Sequence, residues 1–222
     1  MSARRIRITY DYVDPGSYLA ARLLDRWTAG RARKLEISWV PLELSAPPSL
    51  PVDARAPEWS AMSGAMRRHA AALGIPFSPP PRIPWSRKAH ELALHARERG
   101  CFDSVHRALF EAHFTGSEDI GRIDALADIA AAGGLDPGEV RTVLGVDRYR
   151  PEVERLRRAA RRAGIRGVPT FELDGARLEG LGAPSALWRF LGTEVDPTPA
   201  GPAAAGEESP RRLGPGDRSR EG

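Results

Sequence analysis

The residues of this chain best suited to chemistry form one short run, Asp14-Pro15-Gly16-Ser17. Residues 5–10 before it alternate apolar and polar side chains, as a half-buried strand does. Residues 19–27 after it repeat apolar side chains at helical spacing, so the run should join a strand to the start of a helix. Backbone N–H groups at such a start lack partners and carry partial positive charge, which suits an anion, a thiolate or a nucleophile.

Two interpretations of Asp14 stay open at this level. As a structural residue, Asp14 would cap the helix, with Pro15 at the favoured first position and Ser17 in the first turn. The helix dipole would then keep the carboxylate ionised, with a depressed pKa that makes it a poor proton acceptor. As a functional residue, Asp14 would be a general base at the mouth of a substrate groove.

The composition limits the classes of protein to which this chain can belong. The chain has 222 residues, of which 41% are hydrophobic and 28% charged, and this suits a globular protein with a substantial core. It has no run of ~20 apolar residues and no apolar leader after Met1, so we expect a cytoplasmic protein without membrane contact.

Arginine supplies most of the positive charge, and it is spread along the chain except in residues 155–166. That segment has no aromatic residue with which to stack bases, so we predict a solvated helix face and no nucleic-acid partner. A patch that binds an anion or a nucleic acid is the alternative.

The single cysteine, Cys101, excludes a dithiol–disulfide cycle within these residues. A small half-buried thiol is the simplest interpretation of it. The five histidines do not have the spacing of a metal-binding motif, so we expect no metal.

The elements that would position the run follow a definite order. Residues 35–40 predict a second strand, and residues 57–165 carry helical patterns only. Residues 170–173 and 176–179 predict two strands joined by the hairpin turn Asp174-Gly175, and a last helix begins near Pro184. We assign residues 1–195 to one domain and expect residues 196–222, rich in proline, glycine and charge, to be disordered.

This order resembles the DsbA family of thioredoxin-fold proteins over residues 5–191. It is most similar to the FrnE-like branch, with 2-hydroxychromene-2-carboxylate isomerases and kappa-class glutathione transferases as relatives. The segments that carry the resemblance are residues 11–19, 37–44, 88–92, 108–114 and 180–184, and above all Gly167-Val168-Pro169-Thr170-Phe171, which looks like the family's cis-proline motif. The resemblance implies an α/β thioredoxin fold, βαβ then ββα, with an all-helical insertion between the halves.

The chain departs from the family where redox members have Cys-x-x-Cys: Asp14 takes the first cysteine position and Ser17 the second. The resemblance then implies a thiol-dependent isomerase or transferase acting on a small molecule, with glutathione or another low-molecular-weight thiol. Ser17 and Asp14 would be its catalytic residues, although an ionised Asp14 would repel a thiolate. The thiol or substrate would also contact Pro15, Gly16, Val168, Pro169 and Thr170.

Two other functions remain as alternatives. A non-catalytic module would bind an extended peptide or partner through the Val168 backbone, exposed by a cis bond before Pro169. A disulfide oxidoreductase is suggested by the family name alone, and the missing cysteines argue against it. Since relatives often dimerise, the resemblance also suggests a homodimer. Phe77 and Trp85, in a proline-rich loop, are candidates for a lid over the groove.

Overall fold

The computed structural model describes residues 4–29 and 35–192, and within these ranges it contains four strands and eight helices. The predicted disordered tail, residues 196–222, lies outside the described residues. The elements are β1 (Arg4–Tyr10), α1 (Pro15–Ala29), β2 (Leu35–Pro41), α2 (Pro57–Ala72), α3 (Arg87–Glu98), α4 (Phe102–Phe114), α5 (Ile123–Ala132), α6 (Pro137–Gly145), α7 (Arg150–Arg162), β3 (Thr170–Leu173), β4 (Ala176–Glu179) and α8 (Pro184–Phe190).

The strands form one mixed sheet in the order β2-β1-β3-β4. β1 runs parallel to β2, with Ile6 beside Ile37, and antiparallel to β3, with Ile8 beside Phe171. β3 and β4 form the predicted hairpin, whose Asp174 and Gly175 both have positive φ, as such a turn requires. The thioredoxin fold, βαβ followed by ββα, is therefore confirmed.

Helices α2 to α7 lie between β2 and β3 in the chain and make up the predicted helical insertion. Some of their boundaries follow directly from local chemistry: the Asp136 side chain accepts a hydrogen bond from the Glu139 N–H, 2.7 Å away, and caps α6. The insertion meets the sheet through α4, whose His106 and Phe110 rings contact Tyr10 of β1, and through α7, which packs beside β2.

Aromatic side chains fill the space between the sheet and the insertion. Tyr10, Tyr12 and Tyr18 are buried there and belong to the core. Phe77 stacks with Tyr18 and Phe114, so the prediction that Phe77 forms a lid is wrong. The Phe77 ring stabilises the fold more when it is packed in this aromatic stack than when it is exposed over a solvated groove.

The arginine-rich helix α7 behaves mainly as a solvated face. Arg155 pairs with Glu152 and Arg158 with Glu154, all on the same helix. Arg157 instead donates to the backbone carbonyl of Glu43, 3.0 Å away, and ties α7 to the end of β2. Over the described ranges, no helix combines the length and apolarity needed to cross a membrane.

Replacing Phe110 by alanine should lower the free energy of unfolding by about 3–5 kcal/mol, because the change leaves a cavity among Tyr12, Tyr18 and His106. Leu50→Ala is the control: Leu50 is 82% exposed, and its removal should change stability by less than about 0.5 kcal/mol. Urea titration followed by circular dichroism measures both. Equal, small losses would contradict the placement of Phe110 at the centre of the core.

Candidate functional site

The run Asp14-Pro15-Gly16-Ser17, called the Asp14 turn below, lies where β1 meets α1, as predicted. The Ser17 N–H donates to Asp14 Oδ2 at 2.5 Å, and the Tyr18 N–H donates to the Asp14 carbonyl at 3.1 Å. Asp14 is therefore the cap of α1, and its carboxylate occupies the place where the free N–H groups would hold an anion.

The Asp14 turn is almost closed to solvent. Asp14 is 4% exposed and Ser17 is 0% exposed, so a ligand reaches the edge of Asp14 before it reaches Ser17. A Cβ atom on Gly16 would lie 3.0 Å from Pro169 Cδ and 3.2 Å from Asp14 Oδ2. Only glycine fits this position without a shift of its neighbours, and Pro169 packs directly against the turn.

The segment 167–170 forms the opposite side of the site. The Val168–Pro169 peptide bond is cis, and the Pro169 carbonyl accepts the Gly180 N–H at 2.7 Å. The Thr170 hydroxyl donates to the Gly167 carbonyl at 2.9 Å, so this buried side chain supports the loop and does not face a ligand. The amide and carbonyl of Val168 have no backbone partner among the described residues.

Burial decides the protonation of Asp14. Loss of hydration raises the pKa of Asp14 to about 7, against the hydrogen bonds from Ser17 and Gly16, which lower the pKa. The charge of Asp11 raises this pKa further. The prediction of a depressed pKa for Asp14 is therefore wrong. It considered only the helix cap, which the local sequence encodes. The burial that raises the pKa depends on the whole fold.

Asp11 is a site residue to which the sequence analysis assigned no role. Its carboxylate is fully buried; Oδ2 accepts the Leu44 N–H at 2.8 Å and Oδ1 lies 3.1 Å from His90 Nε2. The Asp11 N–H donates to Ser17 Oγ at 3.4 Å. Asp11 thus joins the end of β1, the loop after β2, α3 and the Asp14 turn.

His90 and Asp11 are separated by 79 positions, and no local pattern connects them. Both lie in segments that resemble the DsbA family, residues 11–19 and 88–92, and this was the one signal that could have singled them out. Nearby, the half-buried Arg87 pairs with the buried Glu43, with a closest contact of 3.0 Å, and stabilises the same corner of the insertion.

The other candidate groups are not part of this site. Cys101 is half-buried, and its Sγ lies 3.6 Å from the Ala96 carbonyl, at the junction of α3 and α4. Trp85 is 40% exposed, and its indole N–H donates to the Ser49 carbonyl. In the part of the chain that the structure describes, no cluster of three histidine, cysteine, aspartate or glutamate residues is arranged to hold a metal.

The chain belongs to the DsbA-like thioredoxin domain family, whose model matches residues 5–190. It is 26% identical over 195 residues to YwbO, an uncharacterised protein of Bacillus subtilis (strain 168), and the match covers 85% of this chain and 96% of YwbO. It is thus a family member in which aspartate and serine stand at the redox cysteine positions.

Several solved structures share the fold. A probable DsbA oxidoreductase, SCO1869 from Streptomyces coelicolor, is 25% identical with a TM-score of 0.69, and the match covers 87% of this chain and 92% of that one. A 2-hydroxychromene-2-carboxylate isomerase is 18% identical with a TM-score of 0.72, over 85% and 94% of the two chains. The cytosolic disulfide reductase DsbM from Pseudomonas aeruginosa is 20% identical with a TM-score of 0.58, over 84% and 96%.

The raised pKa of Asp14 predicts how stability depends on pH. Between about pH 4 and pH 7 the folded state holds a proton that the unfolded state has released, so stability falls as the pH rises through this range. An asparagine side chain at this position keeps the cap without the charge. Asp14→Asn should therefore be more stable than the parent above pH 7, by on the order of 2–4 kcal/mol, and equal to it near pH 4.

Urea unfolding of the parent protein and of Asp14→Asn across this pH range measures the difference between their free energies of unfolding. The titration of all other groups contributes equally to both proteins and cancels. A variant that is less stable than the parent at every pH would mean that the cap, and not burial, governs Asp14.

Proposed function

We propose that this protein is a thiol-dependent isomerase or transferase that acts on a small molecule, with glutathione or another low-molecular-weight thiol as co-substrate. The observation that carries the proposal is the Asp14–Ser17 pair at the start of α1, packed against Pro169, where redox relatives have their cysteines. With one cysteine in 222 residues, a dithiol cycle within the chain is not available.

The chemistry assigned to Asp14 is proton transfer from the thiol. The S–H bond breaks, its proton moves to the Asp14 carboxylate, and the sulfur keeps the electron pair. A carboxyl group of pKa about 7 is a better acceptor than an ordinary aspartate, and it lies within about two units of a free thiol. Once Asp14 is neutral, the expected repulsion between two anions disappears, and the dipole of α1 favours a thiolate beside its N-terminus.

Ser17 takes a positioning role in this proposal. Because Ser17 is fully buried and its backbone N–H donates to Asp14 Oδ2, it orients the carboxylate and does not meet the sulfur itself. In an isomerase the thiol is regenerated, because the bond to sulfur breaks at the end of the cycle and the proton on Asp14 returns to the sulfur. In a transferase the sulfur stays bonded to the product, and the proton on Asp14 passes to the leaving group, to the product or to solvent.

Reduced glutathione should bind most tightly between about pH 7 and about pH 8.5, the latter the pKa of a free thiol. Below this window Asp14 already carries a proton, and affinity should fall about tenfold per pH unit. Above it the thiolate meets an ionised Asp14. Isothermal titration calorimetry at several pH values measures the profile.

Two controls isolate the proton transfer. Asp14→Asn should lose the rise in affinity between pH 6 and about pH 7, because an amide accepts no proton. S-methylglutathione, which has no S–H group, should bind with little pH dependence. Absence of binding at millimolar glutathione, with the protein folded, would rule out the proposed function.

A second function is favoured by the amide and carbonyl of Val168, which have no backbone partner among the described residues. These groups are available to pair with an extended peptide, which would add a short β-type contact beside β3. Such binding needs no thiol, and Asp14 would serve only as a helix cap.

Cysteine-free extended peptides with a fluorescent label distinguish this second function from the first. If the second function holds, they should bind at micromolar to millimolar concentration, and N-methylation of alternate backbone amides should abolish binding, since it removes the donors that a strand contact uses. Fluorescence anisotropy is the measurement. Binding that survives N-methylation, or no binding of any peptide, would count against a β-type contact at Val168.

A further inference from the structure

The arginines of α7 fall into two groups that differ in how far their charge is neutralised. Arg155, in the first group, pairs with Glu152 of the same helix at 2.7 Å. Arg157 and Arg161 form the second group, and because they are four positions apart they share one face of α7. In the part of the chain that the structure describes, neither has a carboxylate partner. This face of the helix therefore keeps its positive charge.

The turn that ends α7 brings a third arginine, Arg166, beside this face. Gly164 has a φ of +77°, and its N–H donates to the Arg161 carbonyl at 3.1 Å. The Ile165 N–H donates to the Ala160 carbonyl at 3.0 Å. These are the two hydrogen bonds of a Schellman motif, which reverses the chain after a helix. As a result, the Arg161 side chain reaches the Arg166 carbonyl and donates to it at 2.9 Å.

The charges of Arg157, Arg161 and Arg166 act together, and these three residues are called the Arg161 surface below. Burial and the neighbouring charges of Arg157 and Arg166 lower the pKa of Arg161, and no carboxylate among the described residues opposes this effect. A guanidinium nevertheless stays protonated throughout the pH range of folded proteins. Arg166 is exposed and the other two are half-buried, so the surface offers a fixed positive charge to solvent.

The Arg161 surface borders the segment that contains Val168. Ala160 and Ile165, which precede Arg161 and Arg166 in the chain, belong to a small apolar cluster against which Val168 packs. Arg166 lies two positions before Val168, whose amide and carbonyl have no backbone partner among the described residues. Positive charge and available backbone groups thus lie next to each other.

This combination favours an acidic peptide over other anions. Guanidinium groups bind carboxylates through paired hydrogen bonds, and an extended peptide also supplies the backbone N–H and C=O groups with which Val168 can pair. A nucleic acid has no such backbone groups, and residues 155–166 contain no aromatic side chain on which bases could stack. In an extended segment every second side chain lies on the same face, so alternate acidic residues can meet the arginines together.

We propose that the Arg161 surface binds an extended acidic segment of a partner protein, whose backbone pairs with Val168 while its carboxylates contact Arg161 and Arg166. The inference rests on the second function proposed above, peptide binding at Val168, and names the class of peptide. It requires no thiol and gives Asp14 no further role.

Two peptides of about eight residues, carrying the same uncharged dye, test the preference for acidic side chains. One alternates threonine with glutamate, and the other alternates threonine with glutamine. Each exposed ion pair contributes about twofold to fivefold in affinity, so two pairs should make the glutamate peptide bind about tenfold more tightly. The difference should shrink as sodium chloride is added, because salt screens exposed charges. Fluorescence anisotropy measures both affinities.

Arg166→Gln removes an exposed charge and should weaken binding of the glutamate peptide about twofold to fivefold, without affecting the glutamine peptide. Arg161→Gln, in which the amide can still donate to the carbonyl at position 166, should act in the same way. Arg155→Gln is the matched control, because it removes the same charge from an exposed arginine that already pairs with Glu152. At physiological salt it should leave both affinities unchanged.

The possible outcomes separate this inference from the function on which it rests. Equal affinities for the two peptides, or an equal loss in Arg155→Gln and Arg166→Gln, would refute the acidic preference and leave peptide binding at Val168 in place. If neither peptide binds, both proposals fail. Competition by oligothymidylate as strong as that by the unlabelled glutamate peptide, or binding that survives N-methylation of alternate amides, would show a general anion surface and overturn the inference.

Discussion

At the end of β1 the Asp11 carboxylate is fully buried and accepts hydrogen bonds from Leu44 and His90. A buried carboxylate destabilises the folded state unless such partners surround it. The end of β1, the loop after β2 and helix α3 are therefore held in one arrangement. The Asp11 N–H extends this arrangement to Ser17. This hydrogen-bonded group therefore helps to set the position of the Asp14 turn relative to the helical insertion.

Asp14 shows two opposing effects on one carboxyl group. The first turn of α1 stabilises its charge through N–H groups and the dipole, while removal from water destabilises that charge. Burial is the larger effect, and it leaves a carboxyl group that changes protonation near neutral pH. A site that has lost both redox cysteines therefore retains a group able to take up and return a proton.

The Asp14 turn offers a closed surface. Glycine is required at position 16, and one polar edge lies beside Val168. Arg87 pairs with Glu43, whose neighbour Leu44 donates to Asp11. The ion pair and the buried carboxylate therefore stabilise one corner of the insertion together.

By itself, the sequence determined the order of elements, the hairpin at Asp174-Gly175, the cap at Asp136 and the loss of both redox cysteines. Each of these rests on periodicity, turn chemistry or residue identity, which act over a few neighbouring positions. The tertiary structure alone decided the pKa of Asp14, the burial of Ser17, the pairing of His90 with Asp11 and the packing of Phe77 against the core. Hydration and partners at these residues are set by elements distant in the chain, and no local pattern encodes them.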